Sequence, residues 1–571
     1  MSKNNKHLLV LSFTIFSLLL SGCSLLMPTK RSNSSSQEDL VSSRIDFTSS
    51  NYSTSSSEQS SANSSKSSNS SVRSSSESSS SYSSDDYTSD GLIIENGVVT
   101  GYEGEIRNAI IPEQWNGITV TEIASHAFYN CGSLKSILLP NSIVSIGNGA
   151  FYGCRSLASI DIKNGIKTIY VQAFALCSSL ERIFIPKSVI EIGSTAFERC
   201  SSLVAIDVDE DNPNYLSIEG VLFDKNKETL LACPATKKGG YIVPNETKKV
   251  GDYSFQGCSS LNSITLPSGL TTIGNDAFQG CESLKSIEIP SKVSYMGYSV
   301  FQECSSLTSI NIPASVTSIG TLTFDLCSSL TSINVSEDNN DYSSDDGVLF
   351  NKNKTEILAC PNGRRSSYSV PDGVTVIGEF AFYHCSRIPS ITIPDSVITI
   401  KSMAFVECHS VTTFHIGSKV SSIADDALYL GMSRSLLSFD VDERNANYSS
   451  VDGVLFNKDK TTLIVNPGGR TGDYVVPTGV TKIENTAFYY CQYSSVKISD
   501  TVSTIGRYGF CSCGNLAKVF IPKSVTTIGE NVFRDCRNLT LYCEANNKPS
   551  GWSSNWNPDN NPVVWGHNGD I

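Results

Sequence analysis

The residues with the most chemical capacity here are the cysteines, eighteen in 571 residues, because most recur at one interval. They stand at Cys131, Cys154, Cys177 and Cys200, at Cys258, Cys281, Cys304 and Cys327, at Cys385 and Cys408, and at Cys491, Cys513 and Cys536; each step within a run is 23 residues, with one of 22. Thiols can pair as disulfides, hold a soft metal or lie inert in a core, and spacing separates the three. Zinc needs a closed shell of four ligands, whereas Cys511-Ser512-Cys513 is an isolated C-x-C. In a stack of identical coils the thiols would sit about 5 Å apart at Cα, but parallel side chains keep the Cβ atoms near that distance, longer than the roughly 3.8 Å a disulfide prefers. The expectation is a ladder of buried free thiols at a position that wants a small, weakly polar side chain.

Other chemistry is sparse. His384 and His409 flank Cys385 and Cys408, without a full tetrahedral set. Gly-x-Ser-x-Gly, His-Glu-x-x-His and phosphate-loop patterns do not occur. The acidic run Asp207-Val208-Asp209-Glu210-Asp211 and the run Ser336-Glu337-Asp338 lack the Gly and Glu of a calcium loop and read as Asx turns. No catalytic residue, metal or cofactor is therefore expected, and a carbohydrate-active enzyme would need paired carboxylates that the repeat does not supply. The net charge of -13 argues against nucleic acid as a partner, since phosphate binding needs a Lys/Arg surface.

The elements that must position these residues follow from the period. Leu307-Thr308-Ser309-Ile310-Asn311-Ile312-Pro313 is a short inward-facing strand ended by proline; Val316 and Ile319-Gly320 make a second inward pair and a turn; Phe324 and Cys327 close the coil. A repeat of this length with L-x-x-I-x-I is the signature of a leucine-rich-repeat solenoid, whose coils bury their apolar faces only by stacking. The fold expected is mainly β: about fourteen 23-residue coils, on the order of 65 Å long, with three 35-residue β-hairpin insertions and terminal caps. Each insertion has two apolar runs about a polar turn, as in Gly220-Val221-Leu222-Phe223 and Thr229-Leu230-Leu231-Ala232, forming a hairpin that projects from one coil or widens it. The turns carry Lys225 and Lys227, Lys352 and Lys354, and Lys458 and Lys460, candidate basic tips for an anionic ligand unless they merely solvate turns and guard strand edges.

The candidate binding ribbon is the outward row of strand positions, including Leu138, Phe184, Glu288, Asn311, Asn334, His415 and Phe520. It is polar and mildly acidic, with isolated apolar residues and no aromatic ladder, a surface suited to a broad protein partner. Residues 91–117 read as an N-terminal cap, with an Asn96-Gly97 hairpin and Trp115; 118–543 as the solenoid; and 544–571, with Trp552, Trp556 and Trp565, as a C-terminal cap.

Residues 1–23 read as an export signal, with Lys3 and Lys6 before an apolar run from Leu8 to Leu20. Leu20-Ser21-Gly22-Cys23 resembles the lipobox of bacterial lipoproteins, which implies lipidation of Cys23 and a membrane attachment by lipid alone. Residues 24–90, rich in Ser, read as a flexible tether.

The full pattern, Ala-Phe-x-x-Cys-x-Ser-Leu-x-Ser-Ile-x-Ile-Pro-x-Ser-Val-x-x-Ile-Gly, resembles the BspA-like leucine-rich-repeat family of bacterial surface proteins over residues 91–571; Asp161-Ile162-Lys163 and Thr412 to Gly417 depart from it. The resemblance implies an extracellular solenoid for adhesion or protein binding and carries over no catalytic residue. The function expected is a lipid-anchored cell-surface protein that binds an extracellular or cell-surface protein; the alternative is a structural envelope protein that spaces or organises surface components.

Overall fold

The computed structural model describes residues 87–428 and 434–569. The signal segment with Cys23, all but the end of the Ser-rich stretch, and the degraded coil at Gly431 and Ser433 lie outside the described residues.

The described chain is a β-solenoid without a helix, and each regular coil has three sides. One side carries the longer strands, such as Ser309–Ile312, where Ile310 and Ile312 are buried and Ser309 and Asn311 exposed. That is the period-2 alternation expected when one strand face lines a core. The second side carries two-residue strands, Thr272–Ile273 beside Tyr295–Met296 for example, parallel and in register. The Gly that follows is required by close approach: a Cβ on Gly320 would lie 2.4 Å from the Tyr298 nitrogen of the previous coil.

Ala-Phe-x-x-Cys forms the third side as tight turns. Alternate amides point along the array, so that Asp276, Phe278 and Gly280 donate to Tyr298 O, Val300 O and Gln302 O of the next coil at 2.9, 2.9 and 2.8 Å, while Gln279 and Cys281 donate within the coil. Phe278 stacks on Phe301 with centroids 5.4 Å and planes 4° apart. The repeated cysteine also has a bonding role: Cys304 Sγ donates to Phe278 O at 3.2 Å, as Cys154, Cys327 and Cys536 do to the phenylalanines one coil back. A thiol fits an apolar slot and still offers a weak donor to a carbonyl.

The array falls into four blocks, each opening on an antiparallel device. In the second, Tyr215–Ile218, Val221–Asp224 and Thr229–Ala232 form a meander whose last strand begins the parallel ladder at Lys249–Val250. Tyr342–Asp345 and Tyr448–Val451 open the third and fourth blocks in the same way. The first opens on Leu92–Glu95 paired with Val98–Tyr102, which leads into Glu122–Ile123. Of the two placements expected for the insertions, these hairpins widen the array. The middle strand separates two cores: Leu222 packs with the first, while Val221 and Phe223 pack with the second. An unbroken apolar run, without alternation, is what a strand buried on both faces requires.

A buried asparagine fixes each meander to the block before it. Asn339 donates through Nδ2 to Pro313 O and Val316 O, both at 2.9 Å, and accepts through Oδ1 from the Asp341 and Tyr342 amides at 2.9 and 2.8 Å. Tyr342 Oη then accepts from Ile319 N at 3.0 Å, satisfying the last short strand of the second block. Asn212 with Tyr215, and Asn445 with Tyr448, repeat the arrangement. Asn339→Ala is expected to destabilise the array by about 3–5 kcal/mol and Tyr342→Phe by about 1–3 kcal/mol. Urea unfolding checks the ranking; an alanine variant no less stable than the phenylalanine variant would refute the asparagine as the organising group.

Candidate functional site

The exposed row of the long-strand side is the candidate surface, and a shallow concavity on it lies in the second block. Asn311 and Asn334 are direct cross-strand partners, and Asn334 Nδ2 donates to Asn311 Oδ1 at 3.0 Å. One coil earlier, Glu288 stands on a segment without strand pairing, between the ladder Gly239–Ile242/Leu261–Thr265 and the ladder Ser309–Ile312/Ser332–Val335. The three side chains line a shallow groove of about 680 Å³ floored by Ile287 and Ile312. Amide and carboxylate groups over an apolar floor can hydrogen-bond a partner and desolvate it together.

The other ribbon candidates are dispersed. Leu138 is exposed beside Ile110, and Phe184 is exposed beside Asp207, which Arg182 holds at 2.6 Å. His415 lies in the third block with Nδ1 2.9 Å from Asp440 Oδ2. Phe520 is corrected: only 6% exposed, it lies beneath the end of the chain. Strand Val563–Trp565 adds beside Thr540–Cys543, and the following residues fold back so that Lys497 Nζ reaches Gly569 O at 3.1 Å. Sequence reading missed Ile242, 75% exposed and paired with Thr265, and Val475, paired with Lys497. Both follow insertions and so fall outside the 23-residue register, although Tyr241-Ile242-Val243-Pro244 keeps the strand-then-proline form.

The lysine tips divide by role. Lys225, Lys352 and Lys458 bend their ammonium groups to the carbonyls of Glu210, Glu337 and Glu443 at 3.2, 3.2 and 3.1 Å, tying each tip to its own Asx loop. Lys227 pairs with Glu246 and Lys354 with Asp345. Lys227, Lys354 and Lys460 take left-handed φ values of 60, 54 and 58° at the hairpin turns. Turn geometry accounts for these residues without an anionic ligand.

All described cysteines are free and buried. At the shortened step Cys491 Sγ lies 3.0 Å from Cys513 Sγ. His384 pairs with Asp325 at 2.8 Å and His409 with Glu407, both away from the neighbouring thiols. Among the described residues no group of three or more His, Cys, Asp or Glu is gathered as a metal would need. Burial pushes the Cys200 and Cys304 thiols up to about 12 and raises Cys281 and Cys327 well above the usual range. At pH 8 a thiol reagent is expected to label these positions scarcely at all in the folded chain and fully in denaturant without reductant. Fast labelling of the folded chain would overturn the buried ladder.

Asp276, on the turn side, is 6% exposed and has one oxygen without a hydrogen-bond partner. Burial, opposed by a Tyr253 hydrogen bond and reinforced by the charge of Glu198, pushes its pKa up to about 7. The unfolded carboxyl ionises near 4, so stability is full below that pH and falls as pH rises toward 7. Asp276→Asn should remove this slope and stabilise the chain at pH 8 by roughly 1–3 kcal/mol, with little effect at pH 4. Equal effects at both values would show that the carboxyl is not titrating in that window.

These strands, turns and stacked side chains define a leucine-rich-repeat protein, and comparison with known proteins specifies which kind. The family model "BspA type Leucine rich repeat region" matches residues 102–228, 237–353, 360–451 and 471–547. The chain belongs to the BspA-type leucine-rich-repeat family. No curated protein matches it. Among solved structures it is similar to a leucine-rich repeat protein of Eubacterium ventriosum, at 24% identity over 60% of this chain and 90% of that one, with a TM-score of 0.42. The pneumococcal vaccine antigen PcpA matches at 24% identity over 60% of this chain and 75% of its own, with a TM-score of 0.40. A leucine rich cell surface protein of Faecalibacterium prausnitzii matches at 24% identity over 82% and 94%, with a TM-score of 0.30.

Proposed function

We propose that this chain is a lipid-anchored bacterial surface protein whose solenoid binds a protein partner along the long-strand ribbon. The observation that carries the binding surface is the groove of Glu288, Asn311 and Asn334 over Ile287 and Ile312. It is shallow and presents polar side chains over apolar ones, as a broad protein interface needs. The proposed contact is therefore adhesion or partner binding without turnover. Anchoring rests on the lipobox-like Leu20-Ser21-Gly22-Cys23, and the Ser-rich residues 24–90 would hold the array away from the membrane on a tether.

Residues 87–569 used as bait, with host matrix and serum proteins in one sample and the producing cell's envelope extract in the other, test the binding reading. A saturable host protein is expected, with affinity falling about tenfold or more when Glu288→Arg and Asn311→Arg are combined, as for a lost interfacial hot spot. Capture from the envelope alone would replace adhesion by the structural envelope role. Capture insensitive to the double substitution would exclude this groove. In parallel, Cys23→Ala is expected to release the chain from cells, and unchanged retention would remove the lipid anchor.

A further inference from the structure

Among the described residues the turn side of the array ends twice without a neighbour. Within a block the forward-facing amides are accepted by the following coil: Ser299, Phe301 and Glu303 donate to Thr321 O, Thr323 O and Asp325 O at 3.0, 2.9 and 3.0 Å. The next rung, the amides of Leu322, Phe324 and Leu326, has no acceptor among the described residues. The insertion that follows directs its donors the other way, Cys360 N to Ala381 O at 2.7 Å and Asn362 Nδ2 to Tyr383 O at 2.6 Å. Between them lies a cleft of about 340 Å³, with Leu322 and Phe324 on one wall and Phe380 and Tyr383 on the other. Leu322 and Phe324 line this cleft and Leu326 the hollow beside it, so the three unpaired amides form a ladder edge on which a segment presenting acceptors can dock.

The far end of the chain supplies the template. Asn531, Phe533 and Asp535 hold the same rung, with left-handed φ of 56 and 58° at the flanking positions against 59 and 56° at Leu322 and Leu326. There the rung is filled: Asn531 N donates to Asn555 O at 2.7 Å, Phe533 N to Trp556 O at 3.3 Å, and Asp535 N to the Asp559 carboxylate. The Trp556 ring meets Phe533 edge-on, with centroids 5.8 Å apart. A segment carrying an aromatic residue, and an acidic residue three positions later, is thus what this chain itself uses to close an exposed rung.

We propose that the cleft between the second and third blocks binds a peptide segment of a partner protein, one that carries an aromatic residue followed three positions later by an acidic residue. Its main-chain carbonyls accept from Leu322 and Phe324, its ring packs on Phe324, and its carboxylate accepts from Leu326, the mode by which the turn-forming residues 555–559 close the rung at the far end. Beside Leu326 a hollow of about 190 Å³ is shared with His384, Arg387, Glu407 and His409. Arg387 donates to Ser328 O at 2.8 Å and has no carboxylate partner among the described residues. This site lies on a different side of the coil from the ribbon groove and does not rest on it.

The test titrates a labelled peptide with the sequence of residues 551–562, Gly-Trp-Ser-Ser-Asn-Trp-Asn-Pro-Asp-Asn-Asn-Pro, into the full chain and maps amide hydrogen exchange. Saturable binding is expected, with exchange at Leu322, Phe324 and Leu326 slowed about tenfold or more at saturation. Affinity should fall about tenfold with Arg387→Ala, and similarly when the peptide carries Asp559→Asn, while Asn311→Arg on the ribbon leaves it unchanged. The exchange map of the third block without peptide, unaltered in the Arg387→Ala chain, establishes that the variant is folded where the substitution lies. Absence of saturable binding up to about 1 mM would overturn the proposal. So would protection confined to Asn531, Phe533 and Asp535, since the peptide would then be displacing the chain's own end.

Discussion

The constraint on which the rest depends is that a coil can satisfy only alternate turn-side amides by itself: Gln279 and Cys281 bond within their coil, and Asp276, Phe278 and Gly280 do not. In a helix the donor and acceptor lie in one segment; here Phe278 N finds its acceptor at Val300 O, one coil away. Neighbouring coils must therefore stack in register before either is complete. The residues of the repeat follow from that requirement. Phenylalanine fills the space beneath the turn and stacks on its neighbour, cysteine adds a weak donor to the phenylalanine carbonyl, and glycine after the short strand permits the close approach.

A ladder that depends on its neighbours must also be ended deliberately, and the insertions do so on two of the three sides. Tyr342 Oη closes the short-strand ladder at Ile319, while Asn339 gathers the carbonyls that Pro313 and Val316 leave after the long strand. The turn side receives no such closure at Leu322, Phe324 and Leu326. The middle strand meanwhile divides one continuous array into separate apolar cores, with Leu349 facing one and Val348 and Phe350 the next. Cooperativity in such an array is carried by interfaces between neighbours, so these buried strands set how strongly the blocks unfold together.

Much of this was legible because repetition averages over local ambiguity. The inward Leu and Ile positions, the strand ended by Pro313, the Asx turns before Tyr215 and the buried thiols all follow from pattern and elementary geometry. What escaped lay outside the period. Phe520 occupies a ribbon position by spacing, yet residues 566–569 return over it, and nothing in its own coil signals that cover. Ile242 and Val475 were missed for the opposite reason, since the insertion displaces them from the register that identifies ribbon positions. The bonding role of cysteine was hidden as well: spacing specifies a small buried side chain but not that its proton meets the carbonyl of the preceding coil.

The same constraint decides what the ribbon can offer a partner. Along a regular block the main chain is consumed by the ladder, leaving only outward side chains to distinguish one coil from another. In the second block those are Glu288, Asn311 and Asn334, and the two asparagines already bond to each other. An isologous Asn pair keeps unused donor and acceptor capacity on both amides, so a partner can join it without either group being stripped of a bond. At Leu138 and Phe184 the same register offers apolar contact instead. Specificity along such a surface must come from the order of unlike side chains on like backbones, which a solenoid can alter one coil at a time without disturbing the stack.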